Sequence, residues 1–352
     1  MRSIRALAWA DLPAVMALLR ENLTEVPFDE AGLAAATLED PWSDEELPSL
    51  VAIEDDEVVG FIRSQVRRMR FDGRPIRGVC LSDLVVAPEH RRGAAGAMLL
   101  SRMIKGPQDV SWSDSANDFV VRAWRTFGGH IDHVRAADFM LVLRPLAWAR
   151  AIVAARARGR DVGRTLMPVG AIPAHAAGPR ISGHTAPEPE PGFTSAGADA
   201  ATIAAALPTI SKRLRVCVEW DEPQLAASFR RIAALGAGEL AVRLVHRGEV
   251  PVGWYACLNR PGGASRLLHL AADERSVDGV FTDLVATATA AGATVLAGRA
   301  EPHLERPLHE RLAAVGFAWQ PVIRARDPEL AAAMATGASL LTRLDGELSS
   351  VH

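Results

Sequence analysis

The chain has 352 residues, of which 49% are hydrophobic and 23% charged, as is typical of a globular protein with a hydrophobic core. Because domains usually span about 100–200 residues, we expect two domains. The formal net charge of −3 at pH 7 gives no reason to expect nucleic acid or an anionic membrane as a partner.

The cysteines indicate the cellular compartment. Cys80, Cys217 and Cys257 are too widely spaced for a disulfide framework or a zinc site, and they predict buried thiols in a reducing compartment. The sequence contains no apolar run of about 18 residues and no signal-peptide pattern at its N-terminus. We therefore expect a cytoplasmic protein.

In the first half, apolar periodicity and turn residues predict helices and hairpin strands. Asp11 is expected to cap a helix that has Pro13 in its first turn, and Asp72-Gly73 predicts a hairpin turn. The predicted strands are residues 50–54, 58–66, 76–86, 110–112 and 139–144, and later helices are predicted at 93–105 and 117–127. Hairpins combined with crossovers predict an α/β (α+β) fold with a mixed, mostly antiparallel sheet flanked by helices.

The second half repeats the late elements of the first half as a weak structural repeat. Helices are predicted at residues 222–235, 277–291 and 304–315, and strands at 239–246, 252–258, 265–271, 294–298 and 340–344. Residues 340–344 are expected to take the position of residues 139–143.

A change of composition separates the halves. A helix is predicted at residues 146–158, and prolines then interrupt any periodic pattern at Pro168, Pro173, Pro179, Pro187, Pro189 and Pro191. We expect a linker around residues 185–194. The predicted organisation is a first domain at residues 1–145, a helix and Pro/Ala-rich linker at 146–212, and a degenerate second domain at 213–352.

The segment with the clearest chemistry joins a strand to a helix at residues 84–100. Pro88 ends the strand because it has no N–H for the ladder, and small residues occupy positions 93–96. Such a loop lets backbone N–H groups converge on an anion at a helix N-terminus, where Arg91 and Arg92 add positive charge. The glycine spacing does not fit a dinucleotide fingerprint, and a Walker A loop is excluded because no GK[ST] follows.

This segment resembles the signature of the GNAT acyltransferase superfamily, Arg/Gln-x-x-Gly-x-Gly/Ala after a strand ending Val-x-Pro. The signature reads Arg91-Arg92-Gly93-Ala94-Ala95-Gly96, with alanine in place of its first glycine. The resemblance covers residues 4–145, and a fainter pattern covers 213–347. The simpler alternative is a solvated start of a well-capped helix.

The resemblance implies that acetyl-CoA or another acyl-CoA is the co-substrate. It implies that backbone groups of Leu84, Val85 and Val86 pair with the pantetheine arm, and that amides of residues 92–96 hold the pyrophosphate. Asn117 falls on the asparagine of the family pattern and is predicted to contact the cofactor.

In the same pattern, Trp124 replaces the tyrosine that donates a proton to the CoA thiolate in many relatives. Indole N–H has no useful acidity, and the single tyrosine of the chain, Tyr255, lies in the other half. Asp83 and Ser115 are the candidate catalytic groups. The structural alternatives are a pair of Asp83 with Arg63 and an N-cap role for the cluster at residues 114–117.

Other polar residues offer weaker candidates. His130 and His133 are possible bases, although surface histidines are more common. Five arginines of the second hairpin could form a basic rim or a solvated face: Arg67, Arg68, Arg70, Arg74 and Arg77. At the matching loop of the second half, Asp273, Glu274 and Asp278 would repel a diphosphate, so we expect no CoA there.

These features predict an acyl-CoA-dependent N-acyltransferase that acts on an amine of a small molecule. A catalytically silent acyl-CoA-binding or interaction protein is the alternative from another class, and an aminoacyl-tRNA-dependent transferase is a third. No metal, nucleic-acid or membrane partner is expected, and a homodimer is left open.

Overall fold

The computed structural model describes residues 3–157, 187–188, 190–317 and 320–347. The strands of the first half are β1 (Ser3–Ala6), β2 (Leu50–Glu54), β3 (Glu57–Phe71), β4 (Arg74–Val86), β5 (Val110–Ser113), β6 (His130–Ile131) and β7 (Ala137–Val142). Its helices are α1 (Leu12–Asn22), α2 (Glu30–Ala35), α3 (Ala95–Ile104), α4 (Asp118–Thr126) and α5 (Pro145–Ala157).

The second half contains a similar succession of elements. Its strands are β8 (Phe193–Gly197), β9 (Val216–Val218), β10 (Glu239–Arg247), β11 (Val250–Asn259), β12 (Ala264–Ala272), β13 (Val295–Arg299), β14 (Ala314–Phe317), β15 (Val322–Ala325) and β16 (Ser339–Leu340). Its helices are α6 (Ala200–Ile210), α7 (Glu222–Ala234), α8 (Val277–Ala290), α9 (Glu305–Glu310) and α10 (Pro328–Met334).

Local sequence explains several of these boundaries. The side chains of Asn117, Asp199 and Asp221 each accept a hydrogen bond from a backbone N–H in the first turn of the helix that follows. Asp11 does not cap α1 in this way. Its carboxylate instead accepts from the Ala8 amide at 2.8 Å and pairs with Arg5 at 2.6 Å.

The strands form two mixed sheets, which confirms the predicted fold class. The first sheet has the order β1-β2-β3-β4-β5-β15-β6, with β9 added beside β3 and β16 beside β9. The second has the order β14-β7-β13-β12-β11-β10-β8. In each sheet one pair along this order is parallel, β4 with β5 and β12 with β13, and the other neighbours are antiparallel.

The two halves exchange a strand. β7 from the first half lies between β13 and β14 of the second sheet, whereas β15 from the second half lies between β5 and β6 of the first. Neither sheet is therefore complete without a segment of the other half, an arrangement equivalent to domain swapping within one chain.

Three sequence predictions differ from this topology. Residues 340–344 are not the counterpart of residues 139–143. The counterpart of β7 is β15, which takes the place in the first sheet that β7 takes in the second. Residues 193–210, assigned to the linker by composition, form β8 and α6, and β8 pairs with β10. The helix predicted at 304–315 ends at Glu310 and is followed by β14.

The region predicted as a linker is only partly described. The positions Pro168, Pro173, Pro179 and Pro189 lie outside the described residues. Pro187 and Pro191 lie among the described residues that precede β8.

The core crosses the boundary between the halves. Met69, Trp112 and Ile323 of the first sheet belong to one buried cluster with Leu225 and Trp254 of the second half. This shared core and the strand exchange couple the halves. Within the described residues, no helix has the length and apolar character needed to cross a membrane.

Candidate active site

The two parallel strands of the first sheet separate beyond a short paired region. β4 pairs with β5 only at Gly78, Val79 and Cys80, although it continues along β3 as far as Val86. A register shift and a φ of 51° at Asp83 mark the point where β4 bends. The β5-facing side of β4 therefore has no strand partner downstream of Cys80 among the described residues.

The loop after β4 presents free amides at the start of α3. The first helical bond is from the Met98 N–H to the Ala94 carbonyl, at 2.8 Å. Amides of residues 94–97 have no acceptor among the described residues, as expected for the first turn of a helix without a side-chain cap. The Gly93 amide, by contrast, donates to the His90 carbonyl at 2.9 Å. The Arg92 amide also has no acceptor among the described residues, so Gly93 is the one member of the predicted set 92–96 whose amide is already hydrogen-bonded there.

Small residues bring this helix start close to β4. A Cβ added at Gly96 would lie 3.3 Å from Cγ2 of Val86. Arg91 closes the loop, because its Nη2 donates to Oδ1 of Asn22 at 2.6 Å and its Nε to the Val86 carbonyl at 3.4 Å. Arg92 is exposed and makes no hydrogen bond or ion pair with the described residues, so it is the freer cation for a phosphate.

Asn117, which is predicted to contact the cofactor, has a structural role in the fold, and so does Trp124. Asn117 Oδ1 accepts from the Val120 amide at 3.0 Å and caps α4. Trp124 is 1% exposed and packs in the core of the first half, where its ring approaches Gly129. Trp124 therefore does not present its indole at the surface of the site.

No tyrosine from elsewhere in the chain takes the place of the family tyrosine that Trp124 replaces. Tyr255 is buried in β11 and its hydroxyl donates to Asp283 at 2.7 Å. Burial raises the pKa of this phenol, so it is a poor proton donor as well as a distant one. His130 and His133 are both exposed side chains at the end of the first half.

The two candidate catalytic residues both lie near a carboxylate that sequence reasoning missed. Ser115 Oγ donates to Glu347 Oε2 at 2.5 Å, and the charge of Asp83 adds to burial and Asp114 in raising the pKa of Glu347. Asp83 itself pairs with Arg63 at 2.7 Å, with both side chains buried. The structural alternative for Asp83 is therefore present in the fold.

Glu347 is held at the end of β5 by three donors. Its Oε1 accepts from the hydroxyl of Ser113 at 2.7 Å and from the backbone N–H of Asp114 at 2.8 Å, in addition to the Ser115 contact. It is 4% exposed. Burial raises the pKa of Glu347, and the nearby charge of Asp114 raises it further.

Asp114 links the tail segment, Gly346 and Glu347, to the second sheet. Its Oδ1 accepts from Arg299 at 2.8 Å, and its Oδ2 accepts from the Glu347 amide at 2.9 Å. Burial favours a raised pKa for Asp114, but the guanidinium groups of Arg299 and Arg343 outweigh burial and hold that pKa below its usual value. A Cβ at Gly346 would overlap the Asp114 carboxylate, so only glycine fits there. Asp114 is thus an anchor for the tail and does not cap α4.

The arginines of the second hairpin do not form a basic rim. Arg67 is fully buried, stacks over Trp220 and donates to the Asp345 carbonyl at 2.9 Å. The other four pair with carboxylates outside the hairpin: Arg68–Asp221, Arg70–Glu219, Arg74–Asp327 and Arg77–Glu46. They attach the hairpin to the rest of the protein.

The second half has a cleft in the corresponding place, of about 1150 Å³, beside the end of β12 and the start of α8. Its lining carries both signs of charge, and Arg213 pairs with Glu274 at 3.6 Å while Arg306 pairs with Asp278. These cations are therefore partly neutralised by the cleft's own carboxylates. No group of three or more His, Cys, Asp or Glu side chains suitable for a metal occurs in the described part of the chain.

Comparison with known proteins identifies a family domain in the first part of the chain. Residues 5–128 match the family model described as the acetyltransferase (GNAT) family. A search of curated protein sequences gave no significant match.

Three solved structures illustrate the likeness of the fold. A probable N-acyltransferase from Enterococcus faecalis V583 has a TM-score of 0.61 at 10% identity, covering 92% of this chain and 73% of that one. Eis1 from Mycobacterium abscessus has a TM-score of 0.57 at 14% identity, covering 95% and 76%. N-myristoyltransferase from Saccharomyces cerevisiae, solved with bound myristoyl-CoA, has a TM-score of 0.54 at 12% identity, covering 92% and 79%. Residues 5–128 therefore form a domain of the acetyltransferase (GNAT) family, and the fold of the whole chain is similar to that of these acyltransferases.

Proposed function

We propose that the first half transfers an acetyl or other acyl group from acyl-CoA to an amine of a small molecule. The observation that carries this proposal is the succession of two features, one on β4 and one at the start of the helix that follows it. β4 has an open side beyond Cys80, and the free amides of residues 94–97 follow at the start of α3. The extended pantetheine arm of acyl-CoA needs the open side of a strand, and the diphosphate that follows the arm needs the free amides.

The residues present fit an acyl-CoA molecule. Backbone groups of Leu84, Val85 and Val86 on the open side of β4 would bind the pantetheine arm. The amides of residues 94–97, the partial positive charge of the helix end and Arg92 would bind the phosphates. Acyl-CoA supplies an activated thioester, and the protein's part is to orient it beside the acceptor amine.

The mixed charges of the second cleft support an assignment of acyl-CoA to the first half alone. Asp273, Glu274 and Asp278 lie where a diphosphate would bind in that half, and they oppose its charge. We propose that the second half instead supports the first, through β15 and the segment that ends at Glu347.

The binding part of this proposal is tested by thermal shift with acetyl-CoA. A ligand at about 100 times its Kd stabilises the folded state by about 2.7 kcal/mol, which is a measurable rise in Tm. Arg92→Glu should abolish the rise, because it places a carboxylate beside the phosphates. Arg275→Glu is the matched control at the start of α8 and should leave the rise unchanged. Equal effects of the two variants would contradict the assignment.

The catalytic part is tested by thiol release from acetyl-CoA across a panel of primary amines. Cys80, Cys217 and Cys257 are all buried, so a thiol reagent will report mainly on CoA. Release with at least one amine supports the transferase. Stabilisation by acetyl-CoA without release on any amine would favour the alternative, an acyl-CoA-binding protein that lacks turnover.

A further inference from the structure

The acyl-transfer site lacks a phenol but contains a hydroxyl–carboxylate pair. Trp124 is buried in the core, and Tyr255 lies in the second half. Ser115 is exposed and donates its hydrogen bond to the buried Glu347. This pair has no part in capping α4, which Asn117 does.

The register of the strands puts the pair at the point where β4 and β5 separate. Cys80 and Trp112 form the last parallel pair, and three residues further along the chain lie Asp83, still on β4, and Ser115, just beyond the end of β5. Glu347 contacts Ser115 directly and is influenced by the charge of Asp83. Glu347 therefore lies at the end of β5, close to where the two strands separate.

Among the donors that the described residues 110–115 give to Glu347, only Ser115 reaches solvent. Ser113 and Asp114 are 8% and 1% exposed, whereas Ser115 is an exposed residue. A proton from a bound molecule can therefore reach Glu347 through the Ser115 hydroxyl, and the other two contacts orient the carboxylate.

We propose that Ser115 and Glu347 form a proton relay that takes the place of the missing tyrosine. This inference rests on the proposed function. Ser115 would be the catalytic residue, since it touches the reacting atoms, and Glu347 would act through it.

The relay balances without any other reactant. As the C–N bond forms, Ser115 Oγ accepts the proton of the amine nitrogen and passes its own proton to Glu347 Oε2. The C–S bond breaks with its electron pair on sulfur. Glu347 then returns a proton through Ser115 to that thiolate, so the net transfer is from nitrogen to sulfur.

The charges around Glu347 set its pH dependence. Asp114 faces it from the end of β5, and Asp83 and Cys80 lie on β4. Arg299 of β13 pairs with Asp114 and keeps that neighbour ionised. Because burial and the charges of Asp114 and Asp83 raise the pKa of Glu347, the relay should lose its base at a higher pH than an ordinary glutamate would.

Ser115→Ala tests the relay against Ser113→Ala, a matched control that removes a hydroxyl donor to the same carboxylate. Ser115→Ala should lower kcat by about 100-fold or more, with the KM for acetyl-CoA and the thermal shift unchanged. Ser113→Ala should lower kcat by less than about tenfold, since it leaves the proton path in place. Ser115→Thr retains a hydroxyl and should recover much of the lost activity.

Glu347→Gln supplies a readout that a structural role would not move. The fall of kcat/KM toward acidic pH in the wild type should be absent from this variant, because the titrating group is gone. Equal losses in the Ser113 and Ser115 variants, or an unchanged acidic limb, would overturn the relay alone. Absence of thiol release from the wild type despite acetyl-CoA binding would overturn the transferase and the relay together.

Discussion

Replacement of Ile323 by alanine should weaken the first sheet from a position in the second half of the chain. Ile323 is 3% exposed and is paired with Trp112 of β5. The change removes three buried carbons, at about 0.8 kcal/mol each, and leaves a cavity. Together these terms predict a loss of about 2–5 kcal/mol in the free energy of unfolding.

The assay combines urea unfolding with hydrogen exchange of β5. Ile323→Ala should shift the urea midpoint downward and reduce the protection of amides in residues 110–113. Leu141→Ala is the reciprocal change, since this residue of β7 pairs with Leu296 in the second sheet. Val315→Ala, at a position that is 51% exposed on β14, is the control and should cost less than about 0.5 kcal/mol. If Ile323→Ala left β5 fully protected, the reasoning from strand exchange would be refuted.

Two further changes probe buried groups of the site and of the interface between the halves. Trp124→Tyr should not raise thiol release. It should cost about 2–4 kcal/mol in the free energy of unfolding, because it leaves a cavity and buries a hydroxyl. A tenfold gain in activity, which corresponds to about 1.4 kcal/mol, would instead show that position 124 reaches the acyl site. Glu301 is buried, and neither carboxylate oxygen has a hydrogen bond among the described residues, although Oε1 lies 4.0 Å from Nε of Arg299. Burial raises the pKa of Glu301 to about 7. Stability from Glu301 is therefore fully present below the unfolded value of 4.5 and is lost as pH rises through about 7. Glu301→Gln should flatten the fall of Tm between about pH 4.5 and pH 7, and an identical fall in both proteins would contradict this assignment.

Local sequence signals predicted most elements of the first half and the run from α7 to α9 in the second, and they failed where long-range pairing decides. In the second half they missed the strands β8, β9, β14 and β15 and the helices α6 and α10. The turn at Asp72-Gly73 fixes the β3–β4 hairpin, since both residues adopt positive φ. The exchange of β7 and β15 has no local signal, because each strand would satisfy the pattern of its own half equally well. Residues 193–210 were misassigned since the preceding prolines mask the start of β8.

The loop of the candidate site could be predicted from the sequence, whereas the buried carboxylates beside it could not. Pro88 and the small residues at 93–96 correctly indicated a strand that ends at a helix start with free amides. Glu347 lies 232 residues after Ser115, and nothing in its local sequence indicates that it returns to the end of β5. The role of Gly346 is likewise visible only in three dimensions, where the Asp114 carboxylate occupies the space of a Cβ.

The most direct measurement is an acetyl-CoA titration followed by NMR of protein labelled with ¹⁵N at glycine. Gly96 lies in the first turn of α3 with a free amide, and Gly279 lies in the first turn of α8 beside the cleft of the second half. The proposed cofactor site predicts that the Gly96 resonance moves with saturation while the Gly279 resonance stays in place. A stationary Gly96 resonance under conditions where acetyl-CoA raises the Tm would contradict it.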